Sequence, residues 1–437
     1  MILAPSTALG FDDFVDRLVR EAAHAAPTFP VLLSRLPGVS PADALLSLRR
    51  LARRGAQFPH LEESALAVSP PVLPLDQGAG LPLPHPLDME WRFTRDSAGE
   101  LLQAVLDDTK PGDAVLLLGV PTVAASAVAT GSDRVFQVVG EGNVICRSLE
   151  LATAGDGRFE HGDGIGRPAT AAVIDPPWYL DAYVDMLSTC SRRTADGAHV
   201  LLVLPPPGVR PTAVIDRRRM IEAAFAAGFD VDDRPELLRY RSPLFEIAAW
   251  RAAGIGAWLP DWRTGELVRL VKRRPPSPHP AKPANDPSFE LTFDGARFKL
   301  LLNRKGPEIL DPIVEGGILP SVSARFPARD RASLWTTSNG AFAIDSSLAL
   351  AALRELAIER EIVLPPGLAC PEFDCGDTAT VDAVRELTHD LSRLAEREIA
   401  IAERLVGKTA WLRGLNDARF SGAPWRASQP IRRGAAA

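Results

Sequence analysis

Short apolar runs alternate with segments of helical periodicity between residues 85 and 254. This alternation is typical of an α/β fold, in which a mostly parallel sheet carries helices on both faces. Helices are predicted at about 97–107 and 123–130. Seven strands are predicted, the last two as an antiparallel edge pair: residues 114–118, 135–139, a run ending near 159, 171–174, 200–204, 229–231 and 244–250. We therefore predict a seven-stranded Rossmann-like sheet, with ligands at the carboxyl ends of its strands.

Two proline-rich segments bound this region. The chain has 39 prolines in 437 residues, and they are dense at residues 69–86 and 273–287. Such segments form extended, semi-rigid spacers, and a chain of this length is expected to hold about three domains at roughly 150 residues each. The predicted order is a small helical domain (1–68), a linker (69–86), the Rossmann-like domain (87–272), a second linker (273–287) and a C-terminal domain (288–437).

Residues 1–68 are predicted to form a winged-helix-like unit. Apolar residues recur at helical spacing over residues 11–26, and Ser40 followed by Pro41 starts a helix that runs to about Arg54. A strand pair is expected near residues 66–73. Two roles stay open, namely packing or homodimerisation, and nucleic-acid binding through the basic residues of that helix. These are Arg49, Arg50, Arg53 and Arg54.

The C-terminal domain is predicted to be mixed α+β. An alternating run at residues 289–302 contains an Asp-Gly turn, and Asn339-Gly340 lies between two β-prone runs, which is a strong hairpin signal. Helices are predicted at 347–360 and 380–406. The last helix has an apolar stripe interrupted by Glu398, so it packs on its own domain or forms a dimer seam. Protein partners are expected through this domain.

Composition and charge exclude several classes of protein. Hydrophobic residues make up 46% and charged residues 24%, with a net charge of −6, which argues against a disordered chain and a strongly basic nucleic-acid coat. A signal peptide and membrane spans are not recognisable, so a cytoplasmic protein without a membrane partner is expected. Four cysteines and seven histidines are dispersed, and their spacing predicts no metal site.

The sharpest chemical signal is the run AAVIDPPWY at residues 171–179. A predicted strand ends there in a carboxylate, two rigid prolines and an aromatic ring. Asp175 and the Pro176 carbonyl are expected to accept hydrogen bonds from an amine, and Pro177 helps to fix the backbone that carries them. Trp178 offers a surface on which a planar substrate can stack. Tyr179 and Asp181 follow directly and are predicted to bind substrate. The alternative interpretation is a strand that merely stops at prolines.

DPPW at this place resembles motif IV of the amino-directed class I methyltransferases. The resemblance implies S-adenosylmethionine as cofactor and an amine acceptor, for example a nucleobase in a small molecule or a nucleic acid. It assigns catalytic roles to Asp175, Pro176, Pro177 and Trp178. Positions matching the family's cofactor-binding residues are Gly119 after the first strand, Glu141 or alternatively Asn143 after the second, and Asp163 beside the adenine.

A second resemblance covers about residues 10–250. An N-terminal winged helix, a strand with LLLG and then DPPWYLDAYVDML are similar in layout to the branched-chain polyamine synthases, which are aminopropyltransferases. Their first loop is acidic, whereas this chain has Gly119-Val120-Pro121-Thr122, so methyl transfer is preferred to transfer onto a polycation. The same loop lacks the second glycine that would allow a close approach to the cofactor. A non-catalytic scaffold or nucleic-acid-binding protein of the same fold is therefore an alternative function. Arg210 and residues 217–219 have two interpretations. They form a substrate loop that contacts phosphates, or they are the basic, solvent-exposed face of a helix.

Overall fold

The computed structural model describes residues 10–68, 81–140, 144–162, 166–276, 287–293, 295–323, 326–360, 362 and 378–406. Its larger sheet has eight strands in the spatial order β1-β7-β8-β6-β5-β2-β3-β4. They are β1 (Arg92–Phe93), β2 (Ala114–Leu118), β3 (Val135–Val139), β4 (Phe159–His161), β5 (Ala169–Ile174), β6 (Thr194–Leu204), β7 (Phe229–Arg241) and β8 (Thr264–Lys272). Strands β2 to β6 run parallel, and β8 is antiparallel to both β6 and β7.

Twelve α-helices occur in the described part of the chain. They are α1 (Phe11–Ala23), α2 (Phe29–Ser34), α3 (Pro41–Arg53), α4 (Pro59–Leu66), α5 (Arg95–Asp107), α6 (Pro121–Thr130), α7 (Val144–Ala152), α8 (Leu180–Arg193), α9 (Ala213–Ala226), α10 (Leu244–Ala252), α11 (Ser346–Glu359) and α12 (Thr378–Val406). The predicted helices at 97–107 and 123–130 correspond to α5 and α6. Their boundaries differ by two residues at the N-terminal ends.

The central strands bury both faces by alternating their side chains. Val115 and Val173 belong to one apolar cluster with residues of α5, α6 and α7. Leu116 and Ile174 belong to a second cluster with residues of α8 and α9. The period of two along a strand therefore produces two cores, one on each side of the sheet. This three-layer α/β arrangement is consistent with the expected Rossmann-like methyltransferase fold.

The predicted count of seven strands was wrong. Five of the predicted strands are confirmed, whereas the strand predicted to end near residue 159 instead begins there as β4. Residues 244–250 form helix α10, and every residue from Leu244 to Trp250 is buried. This run is apolar except for Glu246, and such a short run has no periodicity that separates a buried helix from a buried strand. The true partner of β7 is β8, which the sequence analysis missed, and β1 adds a further two-residue strand at the edge.

The N-terminal unit is helical, and two of its four predicted basic residues pair with one buried carboxylate. Ser40 caps α3 by accepting a hydrogen bond from the Asp43 amide at 3.1 Å, as predicted. Arg50 and Arg54 form ion pairs with the buried Asp16, at 2.7 and 3.1 Å. Leu66, expected in a strand, ends α4, and residues 69–73 of that strand pair lie outside the described residues. The winged helix stays a prediction.

The C-terminal residues form a second sheet of five strands in the order β11-β13-β12-β10-β9. Both predicted hairpins are confirmed, because β9 pairs with β10 and β12 pairs with β13, each antiparallel. The strands are β9 (Ser288–Phe293), β10 (Ala296–Leu301), β11 (Asp311–Pro312), β12 (Leu334–Thr336) and β13 (Ala341–Ala343). Helix α12 packs against α10 and α11 of the same chain, and Glu398 is buried where it accepts hydrogen bonds from Ser338.

The N-terminal and C-terminal helices share one apolar core. Leu32 of α2, Trp250 of α10 and Leu391 of α12 belong to the same buried cluster. Most of the first predicted linker and residues 277–286 of the second lie outside the described residues. The described end of the first, residues 81–86, is largely buried. These residues therefore pack on the protein rather than extending into solvent.

The sequence also predicts that the chain has no metal site and no membrane span. Among the described residues, no group of three or more His, Cys, Asp or Glu side chains is arranged to hold a metal ion. The helices of the described ranges include none that is both long enough and apolar enough to cross a membrane.

Candidate functional site

The DPPW motif lies at the point where the strand order of the large sheet reverses. Strand β2 lies between β3 and β5, and Leu118 at its end is paired in register with Ile174 at the end of β5. The next residues along the chain, Gly119 and Asp175, therefore start two adjacent loops. In open α/β sheets this crevice is the usual place for a ligand.

Gly119 allows the loop after β2 to pack closely against the loop that starts at Asp175. Its φ of +72° lies in the left-handed region, which favours glycine. A Cβ atom at this position would lie 2.8 Å from the Asp175 carbonyl oxygen and 2.8 Å from the terminal methyl carbon of Met186. The Asp175 amide also donates to the Leu118 carbonyl at 3.2 Å. Gly119 therefore holds the first loop against the backbone of the motif, in addition to its predicted role in cofactor binding.

We expect Gly119→Ala to destabilise the protein by about 2–4 kcal/mol, because it combines backbone strain with a steric clash. Gly112 is a matched control, since its φ is +80° but nothing lies within 4 Å of its added Cβ. Gly112→Ala should cost only about 1 kcal/mol. Urea unfolding of both variants measures the difference. Equal losses would show that the close approach to Asp175 has no energetic weight.

Asp175 has one oxygen held by the protein and one without a partner. Tyr240, at the end of β7, donates its hydroxyl to Oδ1 of Asp175 at 2.9 Å. The other carboxylate oxygen accepts no hydrogen bond from the described residues. Burial raises the pKa of Asp175 well above its ordinary value, although the hydrogen bond from Tyr240 acts in the opposite direction. This carboxyl group is thus oriented, and it has capacity for another donor.

Tyr240 is held by aromatic neighbours on two sides. Its ring stacks on Phe93 with centroids 4.6 Å apart and meets Trp178 edge-on at 5.8 Å. Burial, together with the nearby Asp175, raises the pKa of the phenol well above its ordinary value. The hydroxyl therefore stays protonated at neutral pH and donates to the carboxylate. Sequence analysis missed Tyr240, because 65 residues separate it from Asp175.

The rest of the motif supplies backbone groups and rings. The carbonyl of Pro176 accepts no hydrogen bond from the described residues, whereas that of Pro177 accepts one from the Tyr179 amide at 2.6 Å. Tyr179 is half-buried and precedes α8. Asp181 is exposed in the first turn of that helix, where a negative charge interacts favourably with the helix dipole. The predicted role of Asp181 in substrate binding stays a prediction.

Trp178 already has a cation over its ring. The guanidinium of Arg263 lies 5.3 Å from the Trp178 centroid, 4.4 Å from Trp91 and 4.9 Å from Trp262. Arg263 is nearly buried and pairs with Glu246, which also accepts hydrogen bonds from the Trp91 and Trp262 indoles. The Trp178 ring, which is the predicted stacking surface, therefore contacts both Tyr240 and Arg263, and these contacts hold its orientation. Stacking on a substrate stays a prediction.

Of the predicted cofactor residues, only Gly119 is described, since Glu141 and Asp163 lie outside the described residues. A further polar group was missed in the first turn of α6. Thr122 is 8% exposed, and its hydroxyl oxygen is buried without a hydrogen-bond partner. An unsatisfied buried hydroxyl at the start of the helix after β2 needs a polar partner. The loop therefore fits a bound cofactor at the sheet edge, even without a second glycine.

The basic segment after β6 divides into two kinds of residue. Arg217 bonds to the Pro205 carbonyl and to Glu266, and Arg218 pairs with Glu222 on the helix surface. Arg210 instead lies over the Tyr179 ring at 5.7 Å. Arg210 is therefore the residue of this segment that the structure brings to the motif.

Comparisons with known proteins gave only distant structural similarity. No family model and no curated protein matched the chain. Among solved structures, a branched-chain polyamine synthase from Thermus thermophilus, in complex with N4-aminopropylspermidine and 5'-methylthioadenosine, has 18% identity and a TM-score of 0.46, over 64% of this chain and 93% of that one. A methyltransferase from Pyrococcus furiosus has 13% identity and a TM-score of 0.29, over 41% and 84%. A fibrillarin pre-rRNA processing protein from Methanococcus jannaschii has 13% identity and a TM-score of 0.27, over 38% and 69%.

Proposed function

We propose that the chain is an S-adenosylmethionine-dependent transferase that methylates an amine bound at the DPPW motif. The observation that carries this proposal is the pair of acceptors at the sheet edge, an Asp175 oxygen and the Pro176 carbonyl, which have no partner among the described residues. Two acceptors in a rigid motif match the two N–H groups of a primary or exocyclic amine. The motif's position beside Gly119, at the topological switch point, supports the same conclusion.

The chain's own residues orient the amine. When Asp175 is ionised, it and the Pro176 carbonyl accept the two N–H hydrogen bonds, so the nitrogen lone pair points away from both oxygens. Tyr240 keeps the carboxylate in place by donating to its other oxygen. Because Asp175 is partly buried, the hydrogen bonds to its carboxylate are stronger than they would be in bulk water. These contacts lower the barrier by positioning the nucleophile before reaction.

The cofactor residues act separately from the amine-binding residues. Gly119 and Thr122 are the described residues that would hold S-adenosylmethionine, and Glu141 and Asp163 are proposed to join them from the resemblance. When bound, the cofactor supplies an electrophilic methyl group on a sulfonium. The same contacts predict that the cofactor binds without an amine present.

One observation favours a second candidate, a non-catalytic scaffold of the same fold. Val120 is 3% exposed, and Pro121 occupies the first position of α6. The loop after Gly119 thus has the side chains of valine and proline, whereas a second glycine would let a cofactor approach the backbone closely. Direct measurement of cofactor binding separates the two candidates.

We expect isothermal titration calorimetry to show S-adenosylmethionine and its demethylated product binding with a Kd below about 1 mM. Thr122→Val should weaken this binding about tenfold, because it removes one hydrogen bond while preserving shape. Thr130→Val, at the other end of α6, is the matched control and should bind normally. If the folded wild-type chain takes up neither compound, the scaffold is the correct candidate.

A further inference from the structure

Arg263, the residue before β8, contacts both aromatic residues of the DPPW site. Its backbone carbonyl accepts a hydrogen bond from the Tyr240 amide at 3.0 Å. Its guanidinium carbon lies 5.3 Å from the centroid of the Trp178 ring. Because Tyr240 in turn donates its hydroxyl to Asp175, Arg263 is linked to the motif by two routes. One route runs through its backbone to the carboxylate, and the other runs through its side chain to the aromatic ring.

A buried carboxylate on α10 fixes the guanidinium of Arg263. Nη2 of Arg263 donates to Oε1 of Glu246, and only 8% of the arginine side chain and 2% of the glutamate side chain are exposed. The second oxygen of Glu246 accepts hydrogen bonds from the Trp91 and Trp262 indoles at 3.2 and 3.3 Å. Both oxygens of Glu246 therefore have donors, and the positive charge that they hold has a defined position in the site.

The positive end of this ion pair is the end that contacts Trp178. Within the described part of the chain, the donors to Glu246 are Arg263, Trp91 and Trp262, and Trp178 contacts the guanidinium instead. Nε of Arg263 is buried without a hydrogen-bond partner, so the carboxylate does not use every donor of the guanidinium. Trp178 itself is only partly buried, which leaves part of its surface for a ligand. A ligand on this ring would therefore lie close to a positive charge.

We propose that Arg263 is a specificity-determining residue, which lets a neutral planar amine stack on Trp178 and disfavours a polycation there. The inference rests on the proposed function, because it concerns the amine that the function requires. The cation–π contact holds the ring for stacking, and the same charge repels a second cation at short distance in a partly buried site. Arg263 thus acts on the substrate through the position of Trp178 and through its own charge.

The protonation state of the amine decides which substrates pass this test. An exocyclic amine on an aromatic ring is neutral at neutral pH, whereas aliphatic amines, like that of lysine, are protonated. Asp175 can pair with one ammonium group, but Arg263 opposes every additional positive charge that reaches Trp178. The substrate class is therefore an aromatic amine, for example one on a nucleobase, rather than an aliphatic polyamine.

Calorimetry with the full-length protein tests the proposal, with adenine as the neutral planar amine and spermidine as the polycation. We expect the wild type to bind adenine at least about tenfold more tightly than spermidine at neutral pH. Arg263→Gln combined with Glu246→Gln removes both charges and leaves no buried carboxylate without its partner. In this double variant the preference for adenine should fall by about tenfold.

Two further variants separate charge from structure. Arg263→Lys retains the positive charge and should retain most of the preference for adenine. Arg241→Gln is the matched control, because Arg241 pairs with Asp261 at 3.2 Å at the end of β7, and both affinities should stay as in the wild type. An arginine with only a structural role would affect both probes alike, so the ratio of the two Kd values carries the result.

The wild type alone supplies a second test that needs no variant to fold. Aniline and benzylamine have similar shapes, but at neutral pH the first is neutral and the second is a cation. Aniline should bind more tightly than benzylamine. Equal or reversed affinities for this pair, a ratio for adenine and spermidine that is unchanged in the double variant, or a wild type that binds neither adenine nor spermidine would overturn the proposal.

The two proposals fail separately. The amine titrations need no cofactor and no turnover, so they report on Arg263, whereas cofactor calorimetry reports on the transferase. Cofactor binding without a preference that depends on Arg263 would overturn the role of Arg263 and leave the transferase intact. A preference that depends on Arg263 without cofactor binding would support that role on a non-catalytic chain.

Discussion

Asp175→Asn is expected to reduce turnover by about 10²- to 10⁴-fold while leaving cofactor affinity unchanged. The amide preserves the shape of the side chain, but it can present an N–H where the carboxylate accepts, and it carries no charge to polarise the amine. Initial rates with radiolabelled S-adenosylmethionine and a panel of primary and exocyclic amines measure this effect. Calorimetry with the cofactor supplies the control, since Gly119 and Thr122 are untouched.

The same substitution should make the protein more stable at neutral pH. The pKa of Asp175 is higher in the folded protein than in the unfolded chain. Such a carboxyl contributes stability below its unfolded pKa of about 4, and this stability is lost as the pH rises through the folded pKa. Asparagine abolishes that loss and should stabilise the fold by on the order of 1 kcal/mol. An Asp175→Asn variant that turns over normally or unfolds more easily would contradict the assigned role.

Tyr240→Phe provides the matched positioning variant. It keeps the ring contacts with Phe93 and Trp178 but removes the hydroxyl donated to Asp175. Because that hydrogen bond lowers the pKa of Asp175, its loss should raise the pKa further. Activity that depends on ionised Asp175 rises with pH, so the acidic limb of the pH–rate profile should shift to higher pH. A uniform loss of rate with an unshifted profile would assign Tyr240 a structural role only.

Arg297→Met is expected to destabilise the fold by about 3–5 kcal/mol, the largest change in stability predicted for this chain. Arg297 is fully buried, and its guanidinium bonds to Asp88 and Glu290, each at 2.6 Å, and to the Leu83 carbonyl at 2.7 Å. It therefore ties the end of the first proline-rich segment to the C-terminal sheet. Its removal leaves two carboxylates without their main partner, and urea unfolding measures the loss.

Lys299→Met is the control for this network. Lys299 contacts the same Asp88 at 2.7 Å but keeps 17% of its side chain exposed, so its removal should cost clearly less. Burial raises the pKa of Asp88, but the charges of Arg297 and Lys299 outweigh burial and hold that pKa below its ordinary value. The resulting stability is present above the unfolded pKa of about 4 and is lost as the pH falls through the folded pKa. Arg297→Met should therefore flatten the acid limb of the stability profile, and equal costs for both variants would refute a dominant role for Arg297.

Local signals were sufficient for much of the fold. The strands at 114–118 and 135–139 were predicted to the residue, because a short apolar run between turn residues has few other stable conformations. The hairpin at Asn339-Gly340 was also predicted correctly, and Asn339 has the positive φ of 64° that such a turn requires. The position of Asp175 at a strand end followed from the same reasoning.

Local signals failed where packing decides the conformation. Residues 244–250 are apolar except for Glu246, and they form a buried helix that shares a core with the N-terminal and C-terminal units. No periodicity in the segment itself indicates this helix. Glu398 seemed from its spacing to interrupt an apolar stripe. In the fold it is buried against Ser338, 60 residues away, and accepts two hydrogen bonds there.

The sequence by itself determined the alternation of strands and helices and a rigid carboxylate motif at a strand end. Only the tertiary structure decided what surrounds that carboxylate, namely the hydroxyl of Tyr240, the arginine among three tryptophans, and Arg210 over the Tyr179 ring. The physical reason is that backbone preferences act over a few neighbouring residues. Hydrogen bonds, desolvation and charge act between side chains that are close in space, and here Tyr240 lies 65 residues from Asp175 in the chain.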